Sequence, residues 1–293
     1  MKKLLTVSLL GVLLNMPSVV FAQASLYGSI RTGIESNSIN NLGVIDFISR
    51  WGIQGSSEVS EGLTAVYRYE RRIDSSDASE PGGRLSYVGL SGGFGTVTIG
   101  RVWSATHNHF GGIVDKTLHY GRPTGADFRL SNAVSYSVSV GNVSLQADAV
   151  MDQGTDKTTD LFNFGATLGG LIDTGSIAIA HQKRQNDFSE DQSSTFIAGN
   201  YGIGDMTVFL GYYQYSAGNS GCTADSVNTQ RGGTCNATEK TKITYAGVHG
   251  GVGDTGVNYV FSMRNEKATN EGFKYDSNAV SYTHLTLPTI LLV

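Results

Sequence analysis

Arg50, Arg68 and Arg129 each sit in a stretch where polar and apolar residues alternate, and each falls on the polar side. A guanidinium stays charged at any physiological pH and offers a planar fork of donors. Set along one face of a sheet, such groups form a fixed positive field that acts on anions without any bond being made or broken. Arg31 and Arg84 fit the same set. Arg101 shares parity with Val97 and Ile99, which puts it on the apolar face unless Gly100 permits a bulge that turns it over. Asp115 and Asp127, in the polar segment 104–128, are the carboxylates that could oppose the arginines across a gap. The competing reading pairs the arginines locally, Arg68 with Glu70 for instance.

Other chemistry finds less support. His107, His109 and His119 fall in segment 104–128, but their spacing does not match i,i+4 metal ligation, so no metal site is expected. Cys222 and Cys235 lie 13 positions apart in one polar stretch, and a local disulfide is expected in an oxidising compartment. Gly-x-Ser-x-Gly is absent, and glycine-rich turns such as residues 91–95 lack the following helix that phosphate binding needs. No enzyme activity and no cofactor are expected. The formal net charge is −4, with basic residues dispersed, which argues against nucleic acid as a partner.

The elements that must position these residues alternate with period two almost throughout. Val134, Tyr136, Val138 and Val140 alternate with Ala133, Ser135, Ser137 and Ser139; Leu63, Ala65, Tyr67 and Tyr69 alternate with Thr64, Val66, Arg68 and Glu70. A strand is predicted over residues 46–56. Short breaks at 59–62, 91–94, 141–142, 202–205 and 250–254 alternate with long polar breaks at 36–43, 74–83, 104–128, 152–160, 185–193, 216–239 and 265–274. A connection near 169–174 is intermediate. In a membrane barrel, tight turns lie on one side and long loops on the other. A soluble sandwich has no reason to keep that order. About thirteen strands precede Asp276, and a fourteenth begins near Ser277. Phe110-Gly111-Gly112 suits a tight bend inside segment 104–128.

Composition agrees. There are 38 glycines, 4 prolines, 14 tyrosines and 12 phenylalanines, with 16% charged residues. Low charge with many aromatic and glycine residues suits an apolar outer face bounded by aromatic girdles. The first segment reads as an export signal: Lys2 and Lys3, an apolar run, then Ala22-Gln23-Ala24 as the small-x-small cleavage pattern. The expected division is a signal peptide over 1–24, with cleavage after Ala24 or Ala22, and a β-barrel over 25–280. Outer-membrane lipid and lipopolysaccharide are then the expected surroundings.

Several runs resemble the general porins of Neisseria and its relatives. They are Leu26-Tyr27-Gly28, Ser49-Arg50-Trp51-Gly52-Ile53-Gln54-Gly55-Ser56, residues 61–67, residues 84–101 and residues 129–136. The resemblance is strong over residues 26–136 and rests on pattern beyond. It implies an all-β, 16-stranded transmembrane antiparallel barrel that assembles as a homotrimer. Its third external loop, here residues 104–128, would fold into the pore. It further implies passive diffusion of ions and small hydrophilic solutes across the outer membrane. Arg50, Arg68, Arg84, Arg101 and Arg129 would line the pore with Asp115 and Asp127, and a weak anion preference would follow. The alternatives are a solute-specific outer-membrane channel and a soluble exported β-sandwich binding protein. The family ends on an amphipathic strand with a terminal aromatic. Residues 281–293 lose the alternation and carry Pro288, and they resemble a translated sequencing-adapter end. A non-native tail over 281–293 is therefore expected, with about two and a half strands missing and 13–14 present.

Overall fold

The computed structural model describes residues 23–36, 42–116, 126–151, 159–185, 192–217, 239–251, 258–270 and 273–283. Fourteen strands form one antiparallel sheet in which each strand pairs with the next member of the sheet in chain order. The first is β1 (Gln23–Ser29), which pairs with β4 (Arg50–Ser60). There follow β5 (Leu63–Arg72), β6 (Gly82–Gly92), β7 (Gly95–Trp103), β8 (Arg129–Val140), β9 (Val143–Met151) and β10 (Thr159–Leu171). The sheet continues through β11 (Gly175–Arg184), β12 (Gln192–Ile203), β13 (Met206–Ala217), β14 (Glu239–Gly251), β15 (Asn258–Asn270) and β16 (Phe273–Thr283). A separate hairpin, β2 (Thr32–Ser36) with β3 (Leu42–Asp46), projects between β1 and β4.

The two faces of this sheet invert the rule for a water-soluble protein. Phe162, Phe164, Ile177, Ile179, Ile197, Leu210 and Met263 are exposed on one face. Gln146, Asp148, Asn163, Gln182, Ser194, Thr241 and Ser262 are buried on the other. A large exposed apolar band is tolerable only against lipid, and a polar face turned inward suits a water-filled interior. The chain is a transmembrane β-barrel, and the sandwich alternative falls with that observation. No described helix is long and apolar enough to cross a membrane, which says nothing about strands.

Turn chemistry sets the two ends apart. Glu61-Gly62, Gly93-Phe94, Gly141-Asn142 and Gly204-Asp205 make tight turns at one end, with Gly62, Gly141 and Gly204 at positive φ. The strand ends that border the longer breaks, such as Met151, Arg184 and Ala217, lie at the other end.

Three local expectations are corrected, and one break gains flanking strands. The strand predicted from Asp46 begins at Arg50, because Asp46 instead caps a corner. Its carboxylate accepts the amides of Ile48 and Ser49 and the hydroxyl of Ser75. Burial pushes this carboxyl up, but the donors from Ser49 and Ser75 outweigh it and hold it at about 2. The break at 36–43 is flanked by the paired strands of the β2–β3 hairpin. The long break predicted over 265–274 is mostly strand, because β15 and β16 carry polar residues up to Asn270 and from Phe273. Gly111 and Gly112 make no tight bend but continue a helical segment: Thr106–Gly111 is a π-helical turn and Gly112–Val114 a short α-helical one.

The cores lie on the inner face. Val102, Leu130, Ala133, Val150 and Leu161 form one cluster under Tyr87. A larger one joins Phe110, Ile113, Val114 and Phe128 to Phe196, Phe209, Tyr213, Ile243 and Tyr245. It is the seat of the inward-folded segment.

Candidate functional site

The chain leaves β7 at Trp103, residues 104–116 pack on the inner face of the sheet, and the chain enters β8 at Arg129. Its two ends are joined where the Ser104 amide donates to the Phe128 carbonyl at 2.9 Å. Just beyond, Asp148 of β9 accepts the Ala105 amide at 2.6 Å, and Thr106 Oγ1 donates to Asn163 Oδ1 at 3.0 Å. Gln146 is a hub. Its Nε2 donates to the Trp103 carbonyl and to Asp148 Oδ1, and its Oε1 accepts from Asn108 Nδ2 at 2.7 Å. His109 Nδ1 meets Thr167 Oγ1 at 2.7 Å. Gly165 makes room for that ring, since a Cβ there would collide with it.

Past these polar pins the segment docks through apolar groups. Phe110 tilts against Phe196 at 5.0 Å and meets Tyr245 edge-on at 5.8 Å. A Cβ on Gly211 would strike Val114, so the glycine sets how closely the helical turn approaches β13. Asp127, near the returning end, accepts from Arg184 at 2.7 Å and from Gln182 at 2.9 Å. The described part of the segment is thus strapped to β9 and β10 by hydrogen bonds and to β12–β14 by a dry patch.

The wall of β4–β6 carries the arginines. Glu70, 1% exposed, sits at their centre. Its carboxylate takes Arg84 Nε at 2.5 Å, Arg68 Nη2 at 3.1 Å and the Tyr27 hydroxyl at 2.8 Å, with Arg50 Nε at 3.9 Å. Tyr27 in turn accepts Arg68 Nε at 2.7 Å. Arg31 lies within electrostatic reach of Arg84, Asp46 and Glu70. Three guanidiniums therefore share the inner carboxylate of Glu70, Arg31 lies within its field, and Asp46 at the edge pairs with Arg72 at 3.5 Å. Arg84 and Arg129 both lie over the Trp103 ring, at 5.6 and 5.2 Å from its centroid. Trp103 also stacks on His107 at 3.6 Å, linking the arginine wall to the strap.

Not every sequence candidate joins this cluster. Arg101 pairs with Ser86 in register, on the face of Ile99 and Val88, and donates to Ser131 Oγ at 2.6 Å. The irregularity beside it falls in the β7–β8 ladder between Gly100 and Val102 and leaves its β6 pairing unshifted. Ser131 and Asn132 fall inside that same irregularity, where Asn132 has φ of 52°, so simple parity does not carry through it to Arg129. Asp115 closes the α-helical turn beside Lys116, and burial pushes its carboxyl up to about 6 against the pull of that lysine. Burial takes His107 down to about 4. Cys222, Cys235 and His119 lie outside the described residues. Among the described residues no cluster of His, Cys, Asp or Glu could hold a metal ion.

The sequence profile of the Gram-negative porins matches residues 8–284. The chain belongs to that family. This porin is 32% identical over 100 residues to the major outer membrane protein P.IB of Neisseria meningitidis serogroup A / serotype 4A, covering 30% of each chain. It is 32% identical over 131 residues to P.IA of Neisseria meningitidis serogroup C, covering 35% of this chain and 33% of the relative. The porin thus aligns with about a third of the length of these relatives. Among solved structures it resembles an anion-selective porin from Comamonas acidovorans, with TM-score 0.65 and 19% identity over 89% of this chain and 83% of that one. It also resembles the trimer form of OmpT, an outer membrane protein of Vibrio cholerae, with TM-score 0.65 and 15% identity over 88% and 82%. At those identities the likeness is one of fold. The porin is an outer-membrane protein.

Sequence reasoning missed the anchors of the strap. Gln146, Asp148 and Asn163 stand at inward positions of β9 and β10, between Leu145, Ala147, Phe162 and Phe164 on the lipid face. Carboxamide and carboxylate groups facing a neutral stretch of loop were the available signal. Tyr27 was read as part of a motif, and its hydroxyl bridging Arg68 and Glu70 had no sequence signature.

Proposed function

We propose that this porin lets ions and small hydrophilic solutes diffuse passively across the outer membrane, through a lumen narrowed by segment 104–128, with a weak preference for anions. It works as a homotrimer among outer-membrane lipid and lipopolysaccharide, and as a channel without catalytic chemistry. The observation that carries the reading is the excess of guanidinium over carboxylate on the β4–β6 wall. A strap docked inside the barrel brings Trp103 and His107 against that wall. Charges inside low-dielectric walls act strongly on a narrow water column.

Planar-bilayer recording tests it. Conductance steps in threes, rising with salt, are expected. Arg50→Glu with Arg129→Glu should shift the reversal potential towards cations, and an unmoved potential would refute the arginine wall as the selectivity element. Saturable block by one solute class would replace free diffusion with a specific channel.

A further inference from the structure

On the tight-turn side of the strap, the inner face of β6–β10 holds a cavity of about 620 Å³. Ser91, Thr96, Ser137 and Gln146 stand directly opposite one another in a row across β6–β9. Ser139, Ser144 and Thr167 make a second row across β8–β10, two residues nearer the turns. Residues directly opposite in antiparallel strands share a face. Gln146, buried and bonded to Asn108 of the strap, marks that face as the inner one. Asn108 and His109 contribute to the lining from the strap itself.

This lining is neutral. None of the described residues around the cavity is Asp, Glu, Lys or Arg. Asp148, one row further from the turns, is taken by the Ala105 amide and by Gln146. Glu58 lies two strands beyond Ser91, past Thr64. The hydroxyls of Ser91 and Thr96 are 2.8 Å apart, and those of Ser139 and Ser144 3.0 Å. Two hydroxyls that share one hydrogen bond keep one proton to donate and lone pairs to accept. Inner-face positions recur ~4.8 Å apart across strands and ~7 Å apart along them. A surface that gives and takes hydrogen bonds at such spacing, and holds no charge, favours a solute whose own hydroxyls do the same. A simple ion gains little there over bulk water. Small-molecule sites occupy roughly 300–1,000 Å³, a range that includes this cavity.

We propose that this recess is a subsite for an uncharged polyhydroxylated solute of the size of a mono- or disaccharide. Its hydroxyls exchange hydrogen bonds with the Ser91–Thr96 and Ser139–Ser144 pairs and with Ser137. Gln146 and Thr167 meanwhile hold the strap beside it through Asn108 and His109. The inference rests on the diffusion reading and deepens it by naming a solute class. The arginine wall of β4–β6 ranks solutes by charge, whereas the recess ranks neutral ones by their hydroxyls.

The test is saturation-transfer NMR on the folded full-length chain in a detergent without sugar headgroups. The probes are sucrose and a polyether of similar size, which accepts hydrogen bonds but donates none. Wild type should bind sucrose saturably, at least fivefold tighter than the polyether. Thr96→Val with Ser137→Ala and Ser144→Ala should weaken sucrose binding about 25-fold, the loss of two hydrogen bonds at roughly fivefold each. A wild-type gel shift on heating shows that the variant is folded. Equal binding of sucrose and polyether by wild type, or no saturable binding of sucrose, would overturn the subsite without any variant being needed. A folded variant that binds sucrose as wild type does would overturn it too. Sucrose binding without any wild-type conductance in salt would instead refute the proposed channel and leave the subsite standing. Saturable block of the ion current by sucrose would support the subsite while replacing free diffusion with a specific channel.

Discussion

Replacing Glu70 with Gln keeps the shape of the side chain and removes the carboxylate that Arg50, Arg68 and Arg84 share. Breaking a buried ion pair from one side costs ~3–5 kcal/mol. Arg50 and Arg68 are each 26% exposed and keep much of their hydration, so their share is small. Arg84 is 7% exposed, and its contact counts nearly in full, which sets the loss near the low end, about 3 kcal/mol. Selectivity should move as well. A univalent anion ~7 Å from the lost charge, in water, is relieved of about 0.6 kcal/mol of repulsion, halved by screening near 0.1 M salt. That favours the anion roughly 1.7-fold and disfavours a univalent cation by as much, roughly a 2.8-fold rise in the anion-to-cation permeability ratio. The mobility shift of folded against heated protein on gels reads the first effect, and reversal potential in a salt gradient reads the second. A Glu70→Gln protein that unfolds at the wild-type temperature and keeps the wild-type reversal potential would refute the view that Glu70 organises this wall.

Asp148→Ala should free the Ala105 amide from its carboxylate, at a cost of about 1.5–3 kcal/mol. Noisier open-channel current is the expected sign, and quiet channels would dismiss the pin. Two titrations in the strap oppose one another. The Asp115 carboxyl, raised to about 6, stabilises docking at low pH and loses that contribution as pH rises through 6. His107, lowered to about 4, stabilises docking at neutral pH and loses its contribution as pH falls towards 4. Asp115→Asn should therefore lose hydrogen-exchange protection over residues 105–115 as pH drops from 6.5 to 4. His109 is also lowered by burial and acts in the same sense as His107, so His107→Phe combined with His109→Gln should gain protection over the same range, and profiles identical to those of Asp115→Asn would count against both assignments.

Much of the fold was legible because a membrane barrel writes its two faces into alternate residues. Val134 to Val140 and Leu63 to Tyr69 read correctly for that reason. The failures share a cause: at the loop end, strands leave the lipid and polarity stops meaning loop. Lys267 and Asn270 therefore read as a connection, although hydrogen bonding to β14 and β16 continues through them. The site was legible in its arginines and not in its assembly. Arg50, Arg68 and Glu70 share a parity that local sequence shows. That Arg84 also reaches Glu70 depends on an irregularity in the β5–β6 ladder between Glu70 and Arg71, which no pattern in residues 82–92 announces. Equally, nothing in residues 104–116 reveals that their partners are Asn163, Phe196 and Tyr245, because those contacts exist only once the sheet has curled.

The strap has a mechanical meaning besides narrowing the lumen. One part is tied to β9 and β10 by Asp148 and Asn163, and the next is seated on β12–β14 through Phe110 and Val114. A member fixed at separate points of a curved wall works as a cross-brace, resisting the lateral pressure that lipid exerts on a wide, hollow cylinder. Because its ends meet at Ser104 and Phe128, the brace can be cut out with little change to the strands that flank it. The price of the wider opening would be a softer wall, so enlarging this channel by shortening the segment trades throughput against rigidity unless Asp148 and Gly211 are given new partners.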